Sequence, residues 1–294
     1  MKREYLFVII TGILSGFIVF GGQIFSNLGL SLFEISIIPQ LVVFLLLIPF
    51  IILNKNLRVL KGKKWLWVLY GFATAGCVLS QFGGVVLGAP VAIVVLLLYT
   101  QPLWTMLITY LFLKEKITKW NILTCLLVIV GMIILINPFN VAEIKNLGGV
   151  IVSLFGGICL SGWVVIGSFV SKNQSPPITT KFTNAVLTIF FLLLAYPLIS
   201  LIKIPSISSV SFNFSASIWI WIIIFALFTE IISHIFYFKG MKEVSTMDAG
   251  IILLLEPIVG SLLAVVFLGQ LLTINIIIGG ILILVANYLA IRYN

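Results

Sequence analysis

The chain of 294 residues is 62% hydrophobic and only 9% charged, with a formal net charge of +9 at pH 7 and a mean hydropathy of +1.29. A soluble domain needs a far larger share of charged residues on its surface, so this composition excludes a soluble globular protein. It also argues against nucleic acid as a partner, because the basic residues lie in short links between apolar runs and do not form one polar face.

Apolar runs of about 20 residues, the length that a transmembrane helix needs, recur along the chain. Each run is predicted to be a helix, because an open strand edge cannot be satisfied in hydrocarbon. The first run is too long for a signal-peptide core and is predicted to stay as a span. The sequence thus predicts an all-α integral membrane protein of ten transmembrane helices, at residues 5–25, 34–53, 65–83, 90–112, 120–137, 148–171, 179–202, 217–238, 246–268 and 273–291.

Lys and Arg residues are distributed unevenly between the links. If the N-terminus is inside, the inner links hold fifteen of the 17 basic residues, Lys181 among them, and the outer links hold only Lys145 and Lys203. Cytoplasmic links of membrane proteins carry the excess of positive charge. The chain is therefore predicted to be a multi-pass protein of the cell membrane with both termini in the cytoplasm.

Two halves of the chain, residues 1–140 and 141–294, resemble each other. The segment "LSGFIVFG" at 14–21 matches "LSGWVVIG" at 160–167. A shift of 155 residues pairs Gln101-Pro102 with Glu256-Pro257, and "FLKEKIT" at 112–118 with "FLGQLLT" at 267–273. Each half holds five spans, an odd number, so the second half is predicted to be inverted. Inverted repeats are typical of transporters, whose binding site lies near the midplane between the repeats.

The five-plus-five layout, the links after the fourth and ninth spans, and "LLLEP" at 253–257 resemble the EamA-type branch of the drug/metabolite transporter superfamily. The resemblance covers nearly the whole chain. It implies a ten-helix carrier of small metabolites, often amino acids or their relatives, and often in the outward direction. Its motifs are specific for the fold and weak for the cargo.

Several ionisable or polar side chains are predicted to lie deep in the membrane. Glu256 is near the centre of the ninth span, and Gln101 has the matching position in the fourth. Glu230, His234 and Tyr237 share one face of the eighth span. Such groups are costly in lipid, so we expect them to face cargo or protein at the interface of the two halves. A histidine side chain ordinarily titrates near neutral pH, and so the presence of His234 makes protons candidate coupling ions.

Pro102 and Pro257 predict a helix break in each half. Proline removes a backbone donor and clashes with the carbonyl four residues earlier. The freed polar groups must be satisfied locally in a membrane. An alternative role for Glu256 is purely structural, as a hydrogen-bond partner of the backbone groups freed by Pro257. An alternative role for Glu230 and His234 is that of a structural hydrogen-bonded pair.

Aromatic residues near these polar groups are predicted to line the same cavity. Phe17 and Trp163 hold equivalent positions in the two "LSG" segments, and Tyr99 and Trp104 flank Gln101-Pro102. Aromatic walls suit amphipathic cargo. Helix packing is the alternative role for each of them.

The leading hypothesis is a secondary transporter that exports small amphipathic metabolites, amino acids or related compounds. An uptake carrier for a nucleobase, vitamin or other precursor is an alternative, as is a membrane enzyme with Glu230 and His234 as an acid/base pair. The inverted repeat argues against the enzyme. No cofactor or metal site is expected, because no phosphate loop or metal-ligand spacing occurs. No Lys or Arg is expected at mid-depth, which disfavours phosphorylated cargo.

The charge asymmetry predicts which links are outside. A single cysteine placed at Asn140 should react with an impermeant thiol reagent on intact cells, whereas one at Asn56 should react only after the cells are broken. Labelling of the parent chain serves as the control for Cys77, Cys125 and Cys159. The reverse pattern would overturn the predicted orientation.

Overall fold

A computed structural model describes residues 3–54, 63–87, 91–137, 147–172, 176–201, 203–269 and 271–293, and all regular structure in these ranges is helical. The helices are α1 (Arg3–Asn27), α2 (Leu32–Leu53), α3 (Lys64–Val86), α4 (Val91–Leu98), α5 (Gln101–Ile108), α6 (Lys119–Ile136), α7 (Leu147–Lys172), α8 (Pro177–Ser200), the short α9 (Pro205–Ser208), α10 (Ala216–Phe225), α11 (Ser233–Gly240), α12 (Thr246–Ile252), α13 (Leu255–Leu268) and α14 (Ile274–Tyr293). Two π-helical stretches interrupt this pattern: Thr109–Leu113 continues α5, and Ala226–Ile232 joins α10 to α11.

Every predicted span corresponds to a helix or to two consecutive helices, which confirms the all-α membrane fold. Within the described ranges, nine helical segments are long and apolar enough to cross a membrane. The third predicted span, 65–83, corresponds to α3, a helix of 23 residues that is not among those nine. The count of ten spans therefore stays a prediction. Asn56 and Asn140 lie outside the described residues.

Contacts between helices follow the two-repeat arrangement. Helix α1 of the first half packs against α11 and α13 of the second half. Helix α7 of the second half packs against α3, α4 and α5 of the first half. Helix α2 packs against α8, and α6 packs against α14, which pairs the equivalent spans of the two halves. Exchanging the halves maps the contacts of α1 onto those of α7, and it maps the α2–α8 and α6–α14 contacts onto themselves. This is the pattern expected of two repeats related by a twofold axis.

The ends of the fourth and ninth spans have the same backbone geometry. Lys114 ends the first of them with a φ of 55°, and Gly269, exactly 155 residues later, ends the second with a φ of 66°. Both residues are in the left-handed conformation that commonly ends a helix. The next helix in each half follows a threonine whose hydroxyl accepts a backbone N–H: Thr118 from Asn121 at 3.1 Å, and Thr273 from Ile276 at 3.4 Å. The repeat register found in the sequence is therefore also a structural register.

Both spans that contain the paired prolines are interrupted. Helix α4 ends at Leu98 before α5 begins at Gln101, and α12 ends at Ile252 before α13 begins at Leu255. Pro102 and Pro257 occupy the first turn of the second helix in each case, where a missing N–H costs nothing.

Glycines of the facing helices pack directly on these interruptions. A Cβ atom at Gly157 of α7 would lie 2.6 Å from the Leu97 carbonyl oxygen, and one at Gly12 of α1 would lie 3.1 Å from that of Ile252. Leu97 and Ile252 are again 155 residues apart. The first span of each half is thus in close contact with the helix break of the other half.

Candidate functional site

A cavity of about 80 Å³ lies between the two helix interruptions. It is bounded by α1, α3, α7 and α11, by the π-helical stretch Ala226–Ile232, and by both breaks. These elements belong to spans one, three and four of the first half and to the equivalent spans of the second. Six of the predicted site residues line it: Tyr99, Gln101, Trp163, Glu230, His234 and Glu256. The cavity is therefore lined by equivalent spans of both halves.

Lys181 shows that two expectations from the sequence were wrong. It lies inside α8, not in a cytoplasmic link, and its side chain is fully buried. Its Nζ atom is 2.5 Å from Oε2 of Glu230 and 3.5 Å from Oε1 of Gln40. A cation is therefore buried inside the bundle, and removing it from the fifteen basic residues predicted to be on the inner side leaves fourteen. The long lysine side chain allows the charge to reach a carboxylate far from its own Cα atom.

The ion pair leaves little positive charge for cargo. A carboxylate or an ammonium buried alone costs several kcal/mol, so each partner stabilises the charged form of the other. Because Lys181 is committed to Glu230 and Gln40, it is not a free cation that could meet a phosphate. A phosphorylated cargo thus remains disfavoured, because the buried cation is already paired.

The sequence contains a signal for this buried cation. Lys181, Asn184 and Thr188 follow one another at spacings of three and four residues, and all three are fully buried in α8. Such spacing puts polar side chains on one helix face. Asn184 donates from Nδ2 to Thr74 Oγ1 of α3 at 2.7 Å. A polar stripe on an apolar span marks the side that faces protein.

A π-helical stretch positions Glu230. The hydroxyl of Thr229 donates to the Phe225 carbonyl at 2.8 Å inside Ala226–Ile232, and Glu230 projects from this wider turn into the cavity. His234 follows in the first turn of α11 and also lines the cavity. Single π-helical turns within α-helices occur frequently at functional sites.

Trp163 and His234 form an aromatic wall with Tyr237 behind it. The Trp163 ring meets the His234 ring edge-on, with centroids 5.2 Å apart, and stacks on Tyr237 at 4.5 Å. Tyr237 does not line the cavity: it is fully buried, and its hydroxyl donates to the Val164 carbonyl at 2.7 Å. Tyr237 was predicted to contact cargo, but its hydroxyl instead holds α11 against α7. It supports the Trp163 ring from the side away from the cavity.

Gln101 is held by a chain of hydrogen bonds between the halves. Its Nε2 atom donates to Thr105 Oγ1 at 2.5 Å, and Thr105 donates to Ser161 Oγ of α7 at 3.0 Å. Gly250 leaves room for this amide, since a Cβ atom there would lie 2.9 Å from Gln101 Nε2. The amide of Gln101 is thereby fixed at the cavity wall.

Glu256 lines the cavity from the first turn of α13 and is 8% exposed. Tyr99, from the interruption in the other half, lines the same cavity. Among the described residues, the ion pairs are Lys172–Glu115 and Lys181–Glu230, so Glu256 is in neither. It is the carboxylate of the cavity that has no cationic partner there.

Phe17 and Trp104 are not at the cavity wall, contrary to the prediction. Phe17 is 38% exposed and does not line the cavity, although its repeat partner Trp163 does. Trp104 lies one turn beyond Gln101, and its Nε1 donates to Thr100 Oγ1 at 3.1 Å. The repeat predicts where a backbone position lies along a span, but the rotation of each helix decides which way the side chain points.

Three further polar residues of the lining were not predicted: Ser15, Thr74 and Gln81. The repeat contains a signal for two of them. Ser15 is equivalent to Ser161, which receives the hydrogen bond from Thr105, and Thr74 is equivalent to Thr229 of the π-helical stretch. Thr74 and Gln81 are seven residues apart, and so they share one face of α3.

The buried ion pair predicts a specific pattern of stability. Lys181→Met leaves Glu230 without a partner and should lower the free energy of unfolding by about 3–5 kcal/mol. The double variant Lys181→Met/Glu230→Gln should recover most of this loss, as measured by thermal unfolding of the purified protein in detergent.

Lys172→Met is the matched control, because Lys172 pairs with Glu115 at 3.0 Å with its side chain 38% exposed. Its removal should cost at most about 1 kcal/mol. If the double variant were no more stable than Lys181→Met alone, the pairing would not be the cause.

Comparison with known proteins identifies the family. The EamA-like transporter family matches the chain twice, over residues 2–137 and 147–292. An uncharacterized transporter of Clostridium kluyveri is 23% identical over 295 residues, covering 98% of this chain and 92% of that protein. The uncharacterized transporter YyaM of Bacillus subtilis is 25% identical over 195 residues, covering 64% of this chain and 60% of that protein.

The fold is also found among solved structures. One protein of known crystal structure superposes with a TM-score of 0.78 at 18% sequence identity, covering 99% of this chain and 97% of that chain. Two copies of the family's repeat account for nearly the whole sequence, and the helices pack as two such repeats. The chain belongs to the EamA-like transporter family.

Proposed function

We propose that this transporter moves small amphipathic metabolites, amino acids or related compounds, outward across the cell membrane by alternating access. The observation that carries the proposal is the cavity at which the interrupted helices of both halves meet. It combines apolar walls with a few fixed polar groups, as sites for small molecules generally do. The remaining asymmetry of fourteen inner against two outer basic residues supports cytoplasmic termini.

One end of the bundle is joined by a polar network around Asp248. This fully buried side chain accepts from the Tyr5 hydroxyl at 3.2 Å and from Asn121 Nδ2 at 3.5 Å. Close by in sequence, Thr246 donates to Glu115 at 3.1 Å. These contacts tie α12 of the second half to α1, α6 and the link after α5 of the first. This is the end predicted to face the cytoplasm.

The opposite end is joined by a network around Glu34. The carboxylate of Glu34 accepts from the backbone N–H of Ser31 at 2.7 Å and from that of Ser211 at 2.5 Å. The Ser31 hydroxyl donates to the Ser209 carbonyl at 2.6 Å. The link between α1 and α2 is thereby joined to the segment that precedes α10.

Both networks consist of hydrogen bonds that water could replace, which supports alternating access. Opening one end would exchange protein partners for water at modest net cost. A second cavity of about 30 Å³ shares Gln81 and Glu230 with the main one and reaches Ser36 of α2, two residues from Glu34. It supports a path from the main cavity toward the predicted outer face, as export requires.

The geometry gives less support to a membrane enzyme. A general base needs a carboxylate that is free to take a proton, but the Glu230 carboxylate is bound by Lys181 at 2.5 Å. His234 faces Trp163 edge-on and has no catalytic partner apart from this occupied carboxylate. Both residues are better suited to shaping a binding cavity.

Transport can be tested with purified protein. A thermal-shift screen against a metabolite panel identifies ligands that stabilise the folded state. Each ligand found is then tested for counterflow in sealed proteoliposomes. We expect saturable flux with no chemical change in the cargo, and the absence of flux for every stabilising ligand would overturn the proposal.

Trp163→Ala should lower the apparent affinity for cargo by about tenfold, since an aromatic contact of this kind is worth about 1–2 kcal/mol. Membrane insertion should be unchanged. Trp221→Ala is the matched control, because Trp221 is 61% exposed on the bundle surface. Equal kinetics of the Trp163→Ala protein and the wild type would show that Trp163 serves only in packing.

Glu256 is proposed to carry the coupled proton, because it is the cavity carboxylate that no cation neutralises. Glu256→Gln keeps the size of the side chain but fixes its charge. We expect the variant to lose gradient-driven accumulation and the pH dependence of transport, measured in proteoliposomes with an imposed pH gradient. An unchanged pH profile in Glu256→Gln, Glu230→Gln and His234→Ala would exclude proton coupling through this cavity.

A further inference from the structure

The charges around the cavity do not balance. Its lining contains Glu230, Glu256 and His234 but no Lys or Arg side chain among the described residues. Glu230 is neutralised by Lys181, which reaches it from α8 at 2.5 Å. Glu256, in the first turn of α13, lines the same cavity and is in neither of the two ion pairs among the described residues. The cavity thus presents one carboxylate that no Lys or Arg side chain of the described residues neutralises.

A cargo that supplies a cation would satisfy Glu256 best. A charge buried from water is stable only when it is paired and hydrogen-bonded. An ammonium group placed beside Glu256 would gain that pairing while lying near the rings of Tyr99 and Trp163, both of which line the cavity. Aromatic faces attract cations, and they do so more strongly where water is excluded.

The same charges disfavour a carboxylate on the cargo. The cation nearest to the lining, Lys181, already serves Glu230 and Gln40. To bind an incoming carboxylate, Lys181 would have to leave Glu230, which would then be buried without a partner. That exchange gains one ion pair and loses another. A zwitterionic amino acid would therefore have its ammonium paired and its carboxylate unpaired.

We propose that the cargo is a small organic amine, a single ammonium group on a compact apolar body without a carboxylate, and that Glu256 binds the ammonium. This inference rests on the proposed transport function and narrows its substrate class within the relatives of amino acids. In this arrangement Glu230 and Lys181 are positioning residues, since they hold the cavity wall and do not touch the ammonium. Trp163 and Tyr99 supply the flat apolar surfaces.

Matched compounds test the proposal on the unaltered protein. Phenethylamine and phenylalanine differ by the carboxylate alone, as do 3-methylbutylamine and leucine, while 3-methylbutanol lacks the charge. We expect the amines to raise Tm and to bind at least about tenfold more tightly than their amino acids or the alcohol, since one unpaired buried charge exceeds about 1.4 kcal/mol. Equal or tighter binding of the amino acids would overturn the amine class, and so would a panel in which no amine binds.

Variants then identify the group that recognises the cation. Glu256→Gln should remove the preference for amines over the alcohol. Glu243→Gln deletes the same charge at an exposed position outside the cavity and should leave the preference unchanged. If the preference persisted in a folded Glu256→Gln protein, Glu256 would not be the amine site.

Flux separates this proposal from the transport function. Counterflow of labelled amine in proteoliposomes, corrected for protein-free vesicles, should saturate. Amines that bind without counterflow would support the site and contradict transport. Counterflow of amino acids without binding of amines would support transport and contradict the amine class.

Discussion

Hydrocarbon offers no hydrogen bonds, and this constraint decides where the polar groups of this chain lie. A helix break in the middle of a span frees backbone groups that lipid cannot satisfy, so a break is tolerated only against protein or a wet cavity. Here both breaks, before Gln101 and before Leu255, are covered by the glycine-containing helices α1 and α7 of the opposite half. The packing that stabilises the breaks also encloses the cavity. Stability and the position of the site therefore have one cause.

The repeat supplies the framework, and departures from it supply the chemistry. Lys114 and Gly269 end equivalent helices with nearly the same backbone geometry, although one residue is charged and the other has no side chain. At the cavity, Gln101 of one half corresponds to Glu256 of the other, and Tyr99 corresponds to Leu254. The backbone is symmetric, but the carboxylate of Glu256 and the ring of Tyr99 are supplied to the cavity by opposite halves. At this pair of equivalent positions only the second half supplies a carboxylate, so the two halves of the cavity wall differ in charge.

Much of this arrangement could be predicted from the sequence. The length of the apolar runs predicts the helices, and the shift of 155 residues predicts that Gln101 and Glu256 lie at equivalent depths. What could not be predicted is the rotation of each helix about its axis, which turns Trp163 to the cavity but leaves Phe17 exposed. The reach of a long side chain was also missed: the backbone of Lys181 lies near the N-terminus of α8, while its Nζ atom contacts Glu230. Both depend on packing between distant segments, which a pattern along one chain does not contain.

The two carboxylates of the cavity differ through their neighbours and not through their chemistry. Glu230 has a permanent counter-ion, which ties the π-helical stretch to α8 and so holds His234 against Trp163. Glu256 is in neither ion pair of the described residues, so no Lys or Arg side chain there balances its charge. A carrier needs such a difference, because a ligand shifts a conformational equilibrium only by the difference in its interaction free energy with the two states. Because the charge of Glu256 is not paired within the protein, its interaction free energy with a bound ligand can differ between the two conformations.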